Sequence, residues 1–161
     1  MDVSFPIEKT CCFTGHRPQK LHETEENVKL ALEREIDAAI ESGFRVFITG
    51  MSTGVDLWAG EIVLRKRAED PELRIIAALP YGNFGKHMSA VWRPVFREIL
   101  SQAAQVVTMS EGYYRAVYQL RDEWMVDHSS RVIAVYNGEP GGTKNTMDYA
   151  EKKGVEIIRA I

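Results

Sequence analysis

Two glycines bracket a short polar stretch, Gly50–Gly54, that joins two segments of different periodicity. The β-branched run Val46–Thr49 predicts a buried strand, and the apolar spacing that begins at Val55 predicts a helix. The first N–H groups of such a helix lack intrahelical partners, and together with the helix dipole they can bind a phosphate. A turn of this kind also occurs without a ligand, with Asp56 stabilising the first helical turn. The candidate ligand contacts here are Gly50, Ser52, Thr53 and Gly54.

Two further glycine turns follow predicted strands. In the first, Thr14–Arg17, the guanidinium of Arg17 has a geometry that suits phosphate, and His16 can donate a hydrogen bond or act as an acid or base. In the second, Gly141, Gly142 and Thr143 precede a predicted helix that carries Thr146 in its first turns. The first turn taken alone is explained equally well as a solvated surface turn fixed by a proline. A common ligand site therefore requires that the three turns meet.

Predicted strands and helices alternate along the whole chain. The strands are residues 10–14, 46–49, 74–79, 105–109, 131–136 and 155–158, and the helices are residues 25–42, 55–69, 87–103, 116–128 and 143–153. This alternation predicts a parallel sheet covered on both faces, with every strand-to-helix turn at its carboxyl edge. Ligands of such sheets bind outside that edge. We expect one α/β domain over residues 1–161, a three-layer sandwich of strand order 3-2-1-4-5 with a short sixth strand.

Composition limits the partners and the compartment. The chain has 161 residues, of which 45% are hydrophobic and 27% charged, as in ordinary globular proteins. The net charge of -3 gives no support to a broad basic face, so nucleic acid is not expected as a partner, although a local basic patch is compatible with it. The adjacent Cys11 and Cys12 predict free thiols in a reducing compartment. With no membrane-spanning run and no signal-peptide pattern, we expect a cytoplasmic protein. We predict no metal and no cofactor; a homo-oligomer is compatible with the sequence.

These motifs resemble a known superfamily. The element G-M-S-T-G-V-D-L-W-A-G-E is similar to one shared by the SLOG superfamily, which joins the DNA-processing protein DprA to the Lonely Guy (LOG) phosphoribohydrolases. T-G-H-R-P, V-D-L-W-A-G-E and G-G-T-K-N-T together most resemble the YpsA-like group of bacterial proteins. The resemblance runs from Phe13 to the end of the chain. It implies a Rossmann-like fold with a nucleotide-derived ligand.

The resemblance assigns roles to several positions. The Gly15–Arg17 turn matches the first phosphate-side loop, and the Gly50–Asp56 turn matches the second. Arg121, followed by Met125, resembles the R-K-x-x-M helix of LOG enzymes, in which the arginine serves substrate binding and catalysis. A surface salt bridge is the alternative role for Arg121.

The last glycine turn departs from the hydrolase pattern. Gly141–Thr143 with Thr146 resembles both P-G-G-x-G-T-x-x-E of LOG proteins and S-G-[TS]-x-x-T-A of DprA. In the first alignment Thr146 occupies the position of the catalytic glutamate. A register that starts at Pro140 places Asp148 there instead, but then the Gly-Thr pair is lost. The hydrolase signature is incomplete in either register.

Three functions are therefore carried forward. The first is binding or sensing of a nucleotide-derived ligand, with Tyr81 or Trp58 facing a base. The second is cleavage of a nucleotide N-glycosidic bond, for which Asp56 and Glu61 are the nearest carboxylates and Arg121 would hold the phosphate. The third is DprA-like binding of single-stranded DNA. A nicotinamide dehydrogenase is disfavoured because no G-x-G-x-x-G follows the first strand.

Overall fold

Six strands alternate with five α-helices in the computed structural model, which describes residues 4–161. The strands are β1 (Thr10–Gly15), β2 (Val46–Thr49), β3 (Arg74–Leu79), β4 (Gln105–Thr108), β5 (Arg131–Val135) and β6 (Glu156–Arg159). The helices are α1 (Glu25–Glu41), α2 (Val55–Arg67), α3 (Arg93–Gln102), α4 (Val117–Asp127) and α5 (Gly142–Lys153). Short 3₁₀ helices lie at Ile7–Lys9 and Pro18–Lys20.

All six strands are parallel and form one sheet. Successive residues of β1 face opposite sides: Cys11 and Phe13 join one buried cluster and Cys12 the other. Helices α1, α2 and α3 cover the first cluster, whereas α4 and α5 cover the second. The predicted Rossmann-like α/β sandwich is thus confirmed. The expected domain boundary at residue 1 includes residues 1–3, which lie outside the described residues.

The strand order differs from the prediction at one strand. We expected 3-2-1-4-5, but the order is β4-β3-β2-β1-β5-β6, so β4 lies beyond β3 and β5 pairs with β1. The sequence of β4 suits an edge, because Val106 is 45% exposed and only Val107 is buried within it. In β5, by contrast, Val132–Val135 are all buried. After β4 the chain therefore returns to the other side of β1, where it adds β5 and β6. The switch point of the sheet lies between β1 and β5.

Helix α3 begins later than its periodicity predicts. A helix from His87 to Ala103 was expected, with a kink or a start near Pro94; the helix begins at Arg93 and Pro94 lies in its first turn. Proline is tolerated there because first-turn N–H groups have no intrahelical acceptor. The residues between β3 and α3 consequently form a series of turns at the carboxyl edge.

Two remaining expectations concern the cysteines and membranes. Cys11 and Cys12 are free and fully buried in β1, and burial raises the pKa of the Cys12 thiol to about 12. Both side chains therefore act as packing groups. Over residues 4–161, no helix combines the length and the apolar character that crossing a membrane requires.

A glycine within α2 sets how closely α3 can approach. A Cβ at Gly60 would lie 2.6 Å from Cδ1 of Ile99, so Gly60→Ala should lose about 1–3 kcal/mol to overpacking and regain about 1 kcal/mol from the better helix propensity of alanine, for a small net destabilisation. Ile99→Val removes Cδ1 and should lower the free energy of unfolding of the wild-type protein by about 0.5–1.5 kcal/mol. In the Gly60→Ala variant the same substitution should leave the free energy of unfolding unchanged or raise it, because it removes the clashing atom. Urea unfolding of the four proteins measures this coupling. Additive effects of the two substitutions would contradict the packing described here.

Candidate functional site

Three glycine turns meet at the carboxyl edge, beside the switch point between β1 and β5. They enclose a crevice of about 230 Å³. Its wall contains residues of the turns after β1, β2 and β5, and residues from the start of α4. The lining residues are Phe13, Thr14, Gly15, His16, Arg17, Lys20, Ser52, Asp56, Tyr118, Arg121, Asp122, Pro140, Gly141, Gly142 and Thr143. The structure thus brings together most of the residues selected from the sequence.

The turn after β2 is held by hydrogen bonds of its own. The hydroxyl of Thr49 donates to the carbonyl of Asp56 at 2.8 Å, and the backbone N–H of Ser52 donates to Oδ2 of Asp56 at 3.2 Å. Asp56 therefore does stabilise the start of α2, as the simpler interpretation proposed. Its carboxylate also lines the crevice, so the two roles coexist in one side chain.

The two glycines of this turn serve different purposes. Met51, and not Gly50, carries the left-handed backbone, with φ of 66°. Gly50 is needed for space, because a Cβ there would lie 2.9 Å from Oδ2 of Asp56 and 3.0 Å from Cζ of Arg121. Gly54 has φ of 94° and packs on the ring of Pro18, so it serves both purposes. Any side chain at Gly50 would separate the carboxylate from the guanidinium.

Arg121 is buried, with 6% of its surface exposed, and it crosses from α4 to the turn after β2. One guanidinium nitrogen, Nη1, donates to the carbonyl of Gly50 at 2.7 Å and to the hydroxyl of Ser52 at 3.3 Å. Nη2 lies 3.0 Å from Oδ1 of Asp122, and the cation lies over the ring of Tyr118. A surface salt bridge therefore does not describe Arg121, which joins two elements through buried contacts.

The same network continues to the turn after β5. Oδ2 of Asp122 lies 3.2 Å from the hydroxyl of Thr146, which also lies 2.8 Å from the carbonyl of Gly142. Thr146 is buried behind the start of α5 and does not line the crevice, whereas Asp122 does. Sequence reasoning did not select Asp122. Its position beside Arg121 at the start of α4 was the available signal.

Burial determines the ionisation of Asp56. Loss of solvent raises the pKa of this carboxyl to about 6, while the positive charge of Arg121 acts in the opposite direction. Asp122, whose charge also raises the pKa of Asp56, completes a compact group of two carboxylates and one guanidinium.

The turn after β1 offers a buried imidazole. His16 is 7% exposed, stacks on Tyr136 at 5.6 Å and leaves Nε2 without a hydrogen-bond partner among the described residues. Burial lowers the pKa of His16, which favours the neutral ring. Beside it, Arg17 and Lys20 extend exposed side chains to the same crevice. His16, Arg17 and Lys20 therefore line the same side of the candidate site, with the imidazole buried and the two cations exposed.

Two helices begin at the crevice without a side-chain cap. No side-chain hydrogen bond caps α2 at Gly54 or α5 at Gly141 in the described part of the chain. A Cβ at Gly15 would lie 2.4 Å from Cγ2 of Val55, so the glycine allows α2 to begin close to β1. The start of α5 is open, since a Cβ at Gly142 would meet nothing within 4 Å. The first N–H groups of α5 are therefore available to an anion, whereas the start of α2 is packed against β1.

Six of the predicted site residues are not part of the crevice lining: Gly50, Gly54 and Thr146, and three that line other cavities. Glu61 lines an outer groove of about 660 Å³ between α1, α2 and α3, to which Trp58 also contributes. Thr53 and Tyr81 line a second cavity, which adjoins the crevice at Arg17. Within residues 4–161 no cluster of three His, Cys, Asp or Glu side chains is arranged to hold a metal ion.

The raised pKa of Asp56 predicts a pH-dependent stability. Between pH 4 and pH 6 the folded protein retains a proton that the unfolded chain releases, so the free energy of unfolding falls as the pH rises through this range. The shift corresponds to at most about 3 kcal/mol. Asp56→Asn lacks this titration, so its stability relative to wild type should increase by up to that amount from pH 4 to pH 7. Urea unfolding at both pH values measures the change, with Glu26→Gln on α1 as the exposed control. A difference that is independent of pH would contradict the burial of an ionisable Asp56.

A solved structure with the same fold is DNA processing protein A from Helicobacter pylori, reported for its single-stranded DNA binding mode. It matches with a TM-score of 0.67 and 18% sequence identity over 93% of this chain. The match covers 64% of that protein, so this chain spans somewhat under two thirds of its length. This likeness shows the fold. It also corrects one expectation: nucleic acid was not expected as a partner because of the net charge, yet a protein of this fold binds single-stranded DNA.

Sequence relatives and a family model agree on the wider group. A UPF0398 protein from Bacillus thuringiensis strain Al Hakam and one from Bacillus cereus strain AH187 are each 30% identical over 155 residues. Each alignment covers 91% of this chain and 84% of the relative. The model of the YpsA family, described as the YspA SLOG family, matches residues 11–157, which include all three glycine turns. The chain therefore belongs to the YpsA family of the SLOG superfamily.

Proposed function

We propose that the protein binds a nucleotide-derived ligand and that the ligand's phosphate lies in the crevice between the three glycine turns. The observation that supports this most directly is the uncapped start of α5, where Gly141, Gly142 and Thr143 all line the crevice. Backbone N–H groups at a helix start bind phosphate without any charged side chain. The unpartnered Nε2 of His16 would supply a further hydrogen bond.

The charges of the crevice favour a ligand with both a phosphate and a polar sugar. Arg17 and Lys20 lie near the entrance and attract the anion, while Arg121 is already paired with Asp122. The carboxylates of Asp56 and Asp122 would repel a phosphate placed beside them. They are acceptors for hydroxyl groups, so a ribose is the part of the ligand that suits this wall.

Binding rather than turnover is the function that the carboxylates support. Cleavage of an N-glycosidic bond needs a carboxylate directed at the cationic sugar. Oδ1 of Asp122 is paired with Arg121, and Oδ2 of Asp56 accepts from the backbone N–H of Ser52, so the protein holds both carboxylates in place and leaves their remaining lone pairs to hydroxyl groups. Thr146, which occupies the glutamate position of LOG enzymes, is uncharged and lies outside the crevice. We therefore infer a binding or sensing role.

A carboxylate placed at the start of α5 should abolish binding without affecting the fold. At 100 times its dissociation constant a ligand stabilises by roughly 2.7 kcal/mol, or about 5–10 °C in melting temperature for a chain of this size. Gly142→Glu introduces a negative charge where a side chain fits and where the helix dipole favours an acid, so the variant should fold and lose the shift. A thermal-shift series with nucleoside monophosphates and ADP-ribose measures this, and chromatography should recover the nucleotides unchanged.

Gly112→Glu is the matched control for this experiment. Gly112 lies in the turn between β4 and α4, a Cβ there meets nothing within 4 Å, and the substitution changes the net charge by the same amount. It should retain the full thermal shift. Equal thermal shifts in both variants would show that the phosphate does not lie at the start of α5. Release of free base from any bound nucleotide would show that the protein is an enzyme.

Single-stranded DNA is the second candidate ligand, because the structural neighbour from Helicobacter pylori binds it. A strand would place its phosphates along the same crevice, with Arg17 and Lys20 as the contacting cations. Each neutralised phosphate of a single strand contributes about 0.7 to the slope of log affinity against log salt concentration. If the crevice binds a strand, affinity should rise as the oligonucleotide is lengthened. If it binds a single nucleotide, affinity should not depend on oligonucleotide length.

The salt dependence of oligothymidine binding tests this candidate. Arg17→Ala should weaken binding and reduce the magnitude of the slope by about 0.7. Lys152→Ala is the control, because Lys152 is an exposed cation in the last turn of α5, away from the carboxyl edge. Binding that does not strengthen with strand length, or a slope that Arg17→Ala leaves unchanged, would exclude a strand from the crevice.

A further inference from the structure

A second cavity of about 400 Å³, which we call the aromatic groove, lies beside the crevice. Its floor is formed by turns between β3 and α3. Aromatic and apolar side chains, those of Tyr81, Phe84, Met88 and Trp92, form part of its lining. Polar side chains form the rest: Arg17, Thr53, Asn83, Lys86, His87 and Ser89.

The crevice and the aromatic groove share a wall. Arg17 lines both cavities, and the neighbours Ser52 and Thr53 line one each. Below them the hydroxyl of Tyr81, in the groove, lies 3.5 Å from the hydroxyl of Tyr118, in the crevice. The turn after β2 therefore separates two compartments that a single ligand can span across Arg17.

The aromatic groove is held in shape by packing that involves no ligand. Phe84 is 9% exposed and packs against Phe96 and Tyr118, with ring centroids 6.2 Å and 6.1 Å away. Gly85 has φ of 94°, and a Cβ there would lie 2.6 Å from the ring of Phe96. The guanidinium of Arg93 donates to the carbonyl of Met88 at 2.8 Å. The turns are thus fixed at both ends of the groove.

The crevice alone is small for a nucleotide. Small-molecule sites usually measure about 300–1,000 Å³, and the crevice of about 230 Å³ falls below that range. The crevice offers backbone N–H groups, cations and carboxylates for a phosphate and a sugar. The aromatic groove adds the rings of Tyr81, Phe84 and Trp92, which suit a planar base.

We propose that the aromatic groove holds the base of the nucleotide whose phosphate lies in the crevice. This assignment rests on the function proposed above. The ribose then passes Arg17, with its hydroxyls toward the carboxylates of the crevice. Half-buried Trp92 and Tyr81 supply the planar surfaces, and Trp92 is itself anchored on Trp58 with ring centroids 5.7 Å apart. Stacking on aromatic side chains tolerates every base, so the ligand class is a nucleoside phosphate of any base.

A comparison of AMP with ribose 5-phosphate isolates the contribution of the base. By calorimetric titration the wild-type protein should bind AMP about tenfold or more tightly than ribose 5-phosphate. Trp92→Leu keeps an apolar side chain against Trp58 and should remove most of this ratio while leaving the affinity for ribose 5-phosphate unchanged. Tyr81→Leu should act in the same direction and serves if the first variant does not fold. Trp124→Leu, on α4 and outside both cavities, is the matched control and should keep the ratio.

Failure of the groove assignment differs from failure of the proposed function. If ribose 5-phosphate and AMP bind equally, or if both groove variants keep the wild-type ratio, the base lies elsewhere although the crevice still binds phosphate. If neither probe binds, the crevice itself is misassigned. The exposed Lys86 on the groove suggests a competing occupant, a second phosphate. If ADP binds more tightly than AMP and Lys86→Ala abolishes this difference in affinity, the groove holds a second phosphate and not the base.

Discussion

The buried guanidinium of Arg121 is the constraint around which the candidate site is built. A buried charge is tolerated only when it is paired and hydrogen-bonded, and Arg121 meets this requirement through Asp122 and through acceptors in the turn after β2. Because Asp122 also contacts Thr146 in α5, the arginine fixes α2, α4 and α5 relative to one another. The absence of a side chain at Gly50 follows from the same contact. The shape of the crevice is therefore a consequence of satisfying one cation.

This arrangement also explains why net charge is a poor guide to what the crevice can bind. The chain carries a net charge of -3, but most of the acidic groups have no part in the crevice. Within it, Asp56 and Asp122 are offset by Arg121, and the cations that remain, Arg17 and Lys20, are the exposed ones. The attraction between the crevice and an anion depends on the charges that line the crevice and not on the net charge of the chain. Composition cannot describe that distribution, because it depends on which turns the fold brings together.

The fold was predictable where it depended on local pattern, and less so where it depended on competition between strands. Alternation of strands and helices identified all six strands and their parallel arrangement, whereas the position of β4 depended on its exposed Val106. The sequence alone indicates that Glu61 and Asp56 lie on different sides of α2, because five residues correspond to a rotation of about 140° around the helix axis. The hydrogen bonds of Asp122, by contrast, join α4 to α5 and have no counterpart in the sequence pattern.

Because the ionic groups of the crevice are largely occupied by one another, recognition of a ligand has to come from other sources. In the proposed function, backbone N–H groups at the start of α5 would bind a phosphate by geometry and would not distinguish which nucleotide carries it. Any discrimination would then arise beyond the shared wall at Arg17, in a groove that combines aromatic rings with polar side chains such as Thr53, Asn83 and Ser89. Selectivity among bases in this fold would then follow from the turns between β3 and α3. Those turns can change without disturbing the network of Arg121, which lies on the other side of the turn after β2.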